Sequence, residues 1–221
     1  MDWNTVAKAA QEAFREGVNE WIGKARIQGG KINGPAAHLT PGSLASDGNV
    51  ESRVVQKLIG SQVPPEISRA LAKELGAAWN GWALGFQVQI PSAYPSFAAF
   101  PGPAAPPTPA ASGPVPLSNG SSAGESGLKA LVLANRLYAA VRPYANKVSG
   151  GPADQALRNL AAWVDSSFAE WKSMAKLVGL QGKGPVPTFA PPYVPIGPVL
   201  RGDNFSAGPI FTGPRFGKVA I

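Results

Sequence analysis

The chain of 221 residues contains no cysteine. A disulfide framework and a thiolate metal site are therefore excluded. It has one histidine, His38, which is too few for a His-based zinc or copper centre. Charged residues make up 15% of the chain, against roughly 25% in ordinary globular domains. A surface this poor in charge suits being covered, so the composition points to a subunit of a larger assembly. The plain alternative is a monomer whose surface is built of small residues. Long hydrophobic runs are missing too. The most apolar stretch, LKALVLANRLYAAV at 128–141, is too short to span a bilayer and contains Lys129, Asn135 and Arg136. The opening residues MDWNTVAKAA carry Asp2 and lack the apolar run of a secretory leader. The expectation is a protein made in a cytoplasm, with no membrane span.

Reaction motifs are equally scarce. His38 is the only side chain whose ordinary pKa would supply a base at neutral pH, and it sits in a Pro-rich stretch with no acid beside it. Only 13 Asp and Glu exist, most of them at expected solvent positions on helices, so a two-carboxylate site has few members to draw on. Neither GKGPVP at 182–187 nor Gly29-Gly30-Lys31 has the spacing of a phosphate-binding loop, and a following Ser or Thr is absent. No nucleophile motif surrounds any Ser or Thr. The triplet Arg201-Gly202-Asp203 reads as a polar turn. The expectation is a protein that is not an enzyme and has no catalytic residue, metal or cofactor.

Glycine and proline, by contrast, are abundant. The 26 Gly and 23 Pro make up about a fifth of the chain and gather in arms that follow helical segments. Internal similarity organises them. EWIGKARIQGGKINGP at 20–35 aligns without a gap on EWKSMAKLVGLQGKGP at 170–185, and GPAAPPTP at 102–109 echoes GPAAHLTP at 34–41. Gly34-Pro35 and Gly184-Pro185 each begin 13 residues after a Trp, and the middle copy inserts seven more after Trp82. A sequence repeat of this kind governs the reading of the fold. It divides the chain into 1–48 (helix and arm), 49–125 (two helices and a Pro-rich arm) and 126–221 (two helices, an arm and a tail). Trp21, Trp82 and Trp171 are the expected core wedges of the repeat.

Apolar residues at three- and four-residue steps predict helices over 3–27, from Asn49 to Gly60, from Pro65 to about Phe86, over 126–147, and from Pro152 to about Val178. FQVQI at 86–90 alternates as a strand does. Nine prolines between Pro91 and Pro116 forbid helix and remove donors that a central strand needs. Residues 110–127, rich in Ser and Gly, read as a disordered linker. The predicted fold is mainly α: a helical hairpin-like body with three extended Gly/Pro-rich arms and little sheet.

Charge is unevenly spread within the net +7. Residues 128–183 hold eight Lys or Arg against three acids, a local excess of +5, while the first 48 residues balance five against five. That field could meet phosphates or an acidic neighbour. It lacks the dense basic clustering and interleaved aromatics of a dedicated nucleic-acid surface.

The arm TFAPPYVPIGPVLRGDN, with short Pro/Gly steps and aromatic anchors, resembles the arms of tailed-phage virion proteins and of related contractile injection particles. The resemblance implies a minor structural subunit at the capsid surface, tail or baseplate, made in the host cytoplasm and joined to other structural subunits of the same particle through its arms. Tyr94, Phe97, Phe100, Phe189, Tyr193, Ile196, Phe205, Phe211 and Phe216 are the expected partner-binding residues, and the helical body is expected to stand without 184–221. The competing account folds these arms back onto the chain's own Trp-lined helices. The other class of function is an adaptor or binding module for peptide, glycan or nucleic acid.

Overall fold

A computed structural model describes residues 1–33, 35–93, 104–109, 112–185, 202–206 and 208–217. Five α-helices carry the core: α1 (Trp3–Lys24), α2 (Val50–Gly60), α3 (Pro65–Gly85), α4 (Ala130–Val141) and α5 (Ala153–Met174). Asp2 caps α1, accepting from the Thr5 amide at 2.7 Å, and Asn49 caps α2, accepting from the Ser52 amide at 2.9 Å. Pro65 opens α3 at its first turn, where a missing amide donor has no cost.

The long helices α1, α3 and α5 point their aromatic residues at one another. Phe14, Val18 and Trp21 of α1 share a face at steps of four and three. Leu75, Trp79 and Trp82 of α3 do the same, as do Val164, Phe168 and Trp171 of α5. Trp82 lies 6.2 Å from Trp21 and 5.6 Å from Trp171, centroid to centroid. Trp79 sits 4.9 Å from Trp82 and 5.7 Å from Trp171. The shorter helices fill the sides: α2 packs on α1 and α3, and α4 packs on α3 and α5. Between α1 and α5, which pack directly on each other, no further helix lies among the described residues. The C-terminal tail fills part of that side instead. The Phe216 ring is fully buried, 5.7 Å from both Phe14 and Trp79. Its backbone exchanges two hydrogen bonds with the Asn19 side chain, at 2.9 and 3.1 Å.

All three long helices end alike. The capping residues Ala25, Phe86 and Ala175 each stand four positions after Trp21, Trp82 and Trp171, and each has extended φ/ψ. The chain passes straight into β1 (Ala25–Ile27), β5 (Phe86–Ile90) and β9 (Lys176–Leu177). Gly29 and Gly179, both eight residues beyond the Trp, take positive φ of 75° and 66°, a conformation that glycine adopts freely. At two junctions one serine closes the helix end. Ser46 Oγ donates to the Trp21 carbonyl at 2.8 Å and accepts from the Gly48 amide at 3.0 Å. Ser122 Oγ does the same for the Trp82 carbonyl at 2.7 Å and the Gly124 amide at 3.1 Å.

The expectation of a mainly helical body with free-running arms is corrected here: the fold mixes α and β. The remaining strands are β2 (Gly30–Asn33), β3 (Ala36–Leu39), β4 (Leu44–Ser46), β6 (Ala104–Pro109), β7 (Val115–Pro116), β8 (Ser121–Ser122), β10 (Leu180–Pro185), β11 (Asp203–Ser206) and β12 (Phe211–Thr212). Seven of the strands form one sheet in the order β6-β10-β11-β2-β3-β5-β8. A two-stranded pair β1-β4 and a three-stranded sheet β12-β9-β7 complete the set. The arms are thus largely strands that pair with each other. Their pairing joins distant positions: Asp203 aligns with Lys31, and Leu177 aligns with both Val115 and Phe211. Buried Ile32, Ala37, Leu39, Val88 and Ile90 point inward while their neighbours face out. At one edge of the large sheet, β6 carries Pro106, Pro107 and Pro109, and proline withholds the donors that a further strand would need.

Two further expectations change. Residues 112–127 are not a linker. Val115 pairs in a sheet, Leu117 and Leu128 are fully buried, and Gly120 and Gly124 lie where a Cβ would come within 2.4 Å of the Phe86 ring and 2.0 Å of the Gly81 carbonyl oxygen. Their glycines serve close approach. The tail is likewise part of the body, since Ile210 and Phe216 are 0% exposed. One apolar cluster runs from Trp3 to Phe216 and draws on all three sequence units.

Candidate interaction surface

The segment 130–141, ALVLANRLYAAV, holds strong helix formers and neither Gly nor Pro until Pro143 follows. Its first turn has no capping side chain of its own. Asp165 of α5 takes that place, accepting from the Ala130 amide at 3.0 Å and from Lys129 Nζ at 3.1 Å. Leu133, Ala134, Leu137 and Val141 face the core. Arg136 anchors the side next to α3, donating through Nε and Nη2 to Glu74 Oε2 at 2.8 and 2.7 Å.

The outward face of α4 is the unusual one. Leu131 is 72% exposed, Val132 42% and Tyr138 40%. Asn135 and Ala139 complete that face, which carries no charge over three turns. Single exposed apolar residues are ordinary on a protein surface, but a contiguous group is informative. Between α3 and α4 a groove of about 420 Å³ is lined by Glu66, Arg69, Ala70, Lys73, Glu74, Ala140 and Tyr144. Its acids are occupied: Glu74 by Arg136, Glu66 by Lys147. The hydrogen bond from Lys147 holds the Glu66 carboxyl below its ordinary pKa. Arg69, Lys73 and Arg142 make no ion pair among the described residues.

The basic excess of 128–183 is therefore largely spent. Lys129, Arg136, Lys147, Arg158 and Lys172 each pair with an acid, leaving Arg142, Lys176 and Lys183 outside any described ion pair.

Of the expected partner-binding residues, Tyr94, Phe97, Phe100, Phe189, Tyr193 and Ile196 lie outside the described residues. Phe205 is half-buried on β11, and its alternation from Asp203 places it on the outer face of the large sheet. Phe211 is half-buried between Trp21 and Trp171, at 6.3 and 5.4 Å, and Phe216 is buried. Trp21, Trp82 and Trp171 converge in the core, together with Trp79. Asp203 of the Arg-Gly-Asp triplet is held by Lys31 Nζ at 2.8 Å.

His38, on β3, pairs in register with Lys31 and with Gln89. It lines an open polar cleft of about 320 Å³ with Thr40, Gln87, Gln89, Asn119 and Ser121. No acid stands in that lining. Among the described residues no three His, Asp or Glu side chains gather as a metal would need, and no described helix is long and apolar enough to cross a membrane.

No protein-family model, curated protein or solved structure matches this chain. The α4 surface was absent from the sequence-based set of partner residues. The signal for it was present in 128–141, where Leu131, Val132 and Tyr138 fall off the inward stripe of Leu133, Leu137 and Val141.

Proposed function

We propose that the chain is a non-enzymatic structural subunit of a large particle, on the pattern of tailed-phage virions and related contractile injection particles. Its place is the capsid surface, the tail or the baseplate. It is made in the host cytoplasm and joined there to other structural subunits. One observation carries the reading: the charge-free apolar face of α4 is in water in the isolated chain. Burying a large apolar side chain is worth roughly 1.5–3 kcal/mol, so covering Leu131, Val132 and Tyr138 would favour association. The low overall charge and the arm resembling phage virion proteins support the same reading.

A second reading, a binding module for a peptide, glycan or nucleic acid, is favoured by the open polar cleft at His38. Sedimentation of a native extract, with cross-linking through lysines, separates the two. The expected result is recovery in a particle fraction, with Lys129 and Lys73 linked to other structural proteins. Recovery at the mass of the free chain overturns the subunit reading.

A further inference from the structure

We infer that the groove between α3 and α4 is a binding site for a dianionic phosphate group, held by Arg69 and Lys73. The inference goes beyond the subunit reading and does not depend on it. Glu66, Arg69, Ala70, Lys73 and Glu74 recur along α3 at steps of three and four, so they stand on one face of the helix, and all five line the groove. Two ion pairs cross it. Glu66 reaches Lys147 in the 3-10 segment Arg142–Lys147, and Glu74 reaches Arg136 of α4 at 2.7 Å. Along α3, Arg69 and Lys73 lie between these two crossings, one helical turn apart. The rest of the lining is uncharged: Ala70 and Ala140 are small, and Tyr144 adds a phenol.

The charge balance points to an anion. All 13 acidic side chains of the chain lie among the described residues, and none forms an ion pair with Arg69 or Lys73. The two acids of the lining are neutralised by Lys147 and Arg136, which leaves a local excess of two positive charges. Arg142, which stands between Ala140 and Tyr144 in the chain, is also without an ion-pair partner among the described residues. A concave lining of one charge sign concentrates counter-ions. Two unpaired cations balance a dianion, whereas a single carboxylate leaves one of them over. The guanidinium of Arg69 offers a planar fork that matches two phosphate oxygens, and the Lys73 ammonium is a point charge for a third. The groove measures about 420 Å³, within the range of sites that hold small molecules. The phosphate chemistry is shared by free inorganic phosphate and by a small phosphate monoester.

The test uses the full chain and three probes at constant ionic strength: inorganic phosphate, glycerol phosphate and acetate. Binding and its location are read together from saturable amide shifts. The expected result is a preference of about tenfold or more for either phosphate over acetate, equivalent to about 1.4 kcal/mol, which shrinks as salt rises. Shifted amides should cluster on Glu66–Glu74 and Ala140–Tyr144. Arg69→Gln with Lys73→Gln should abolish the preference. Both side chains are exposed and make no described ion pair, so circular dichroism should stay unchanged. Lys8→Gln, at another exposed and unpaired cation, should leave binding intact.

Tighter binding of glycerol phosphate assigns the site to a phosphate monoester, and equal or weaker binding assigns it to free phosphate. No saturable shift, equal affinity for acetate, or shifts centred elsewhere overturn the proposal. So does a double variant that binds phosphate as the parent does, or an equal loss from Lys8→Gln. Binding to a phosphodiester oligonucleotide without binding to either phosphate probe overturns it too. The subunit reading is judged separately, by recovery of the chain in a particle fraction.

Discussion

Helices α2 and α4 hold equivalent places, each wedged beside two of the long helices and each following a strand, a serine and a close-packed glycine. Their outer faces differ sharply. The exposed residues of α2 include Glu51, Ser52 and Gln56, with Ile59 the one large apolar group, whereas those of α4 are Leu131, Val132, Asn135, Tyr138 and Ala139. Their starts differ as well. α2 begins directly on its own cap, Asn49, while α4 follows a 3-10 segment, Ala123–Leu128, and borrows its cap from Asp165 thirty-five residues away. The contrast separates two demands. Both inner faces satisfy the core, but α4 leaves three large apolar groups exposed where α2 leaves one.

The largest effects should come from the glycines that lead into these helices. Gly124→Ala puts a Cβ at 2.0 Å from the Gly81 carbonyl oxygen, and Gly48→Ala puts one at 2.7 Å from Trp21 Cα. Both neighbours are backbone and cannot swing aside. We expect Gly124→Ala to cost about 3 kcal/mol or more and Gly48→Ala somewhat less, read by denaturant melts. Parent-like stability of both variants would show that neither glycine is held by close approach of the backbone.

The caps should separate next. Asn49→Ala should cost about 1 kcal/mol and loosen α2 alone. Asp165→Ala removes the cap of α4 from another helix, so hydrogen exchange should rise over Ala130–Leu133 while α5 itself stays protected. If exchange rises in neither helix, neither cap matters to helix stability.

Acid should produce the smallest difference. Glu66 is held below its ordinary value of 4.5 chiefly by its hydrogen bond from Lys147, and Asp47, in the turn before α2, below 3.8 by that from Arg26. Depressed carboxyl pKa values stabilise the fold above their unfolded values and lose that contribution as pH falls through the folded ones. Stability should therefore decline from about pH 4.5 downward, with Glu66→Gln flattening the upper part of the decline and Asp47→Asn the lower. A profile that stays flat below pH 4.5 in the parent chain would show that neither carboxylate contributes.

Much of the helical frame could be read from the chain, because α1, α3 and α5 repeat apolar residues over many turns and end in Gly- or strand-rich text. FQVQI could be read as extended for the same local reason. The sheets could not. β7, β8, β9 and β12 are two residues long, which leaves no alternation to see, and the Lys31–Asp203 pairing spans 172 positions. High Gly and Pro content suggested loose arms, yet Gly120 and Gly124 are there because backbone and rings pass within contact distance. The α4 surface was half-legible: 128–141 stood out as apolar, but only the packing shows which of its residues remain outside.

One detail of the segment 203–216 also bears on how the fold comes apart. The Asn19 side chain grips the Phe216 backbone, 197 positions away, and β11 inserts between β2 and β10. Without that segment Phe14 and Trp79 lack the Phe216 ring and the large sheet lacks one of its inner strands. Peeling it away would therefore open the α1–α5 side of the core and split the sheet in one event, so release of this segment and loosening of the first helix should not be separable steps.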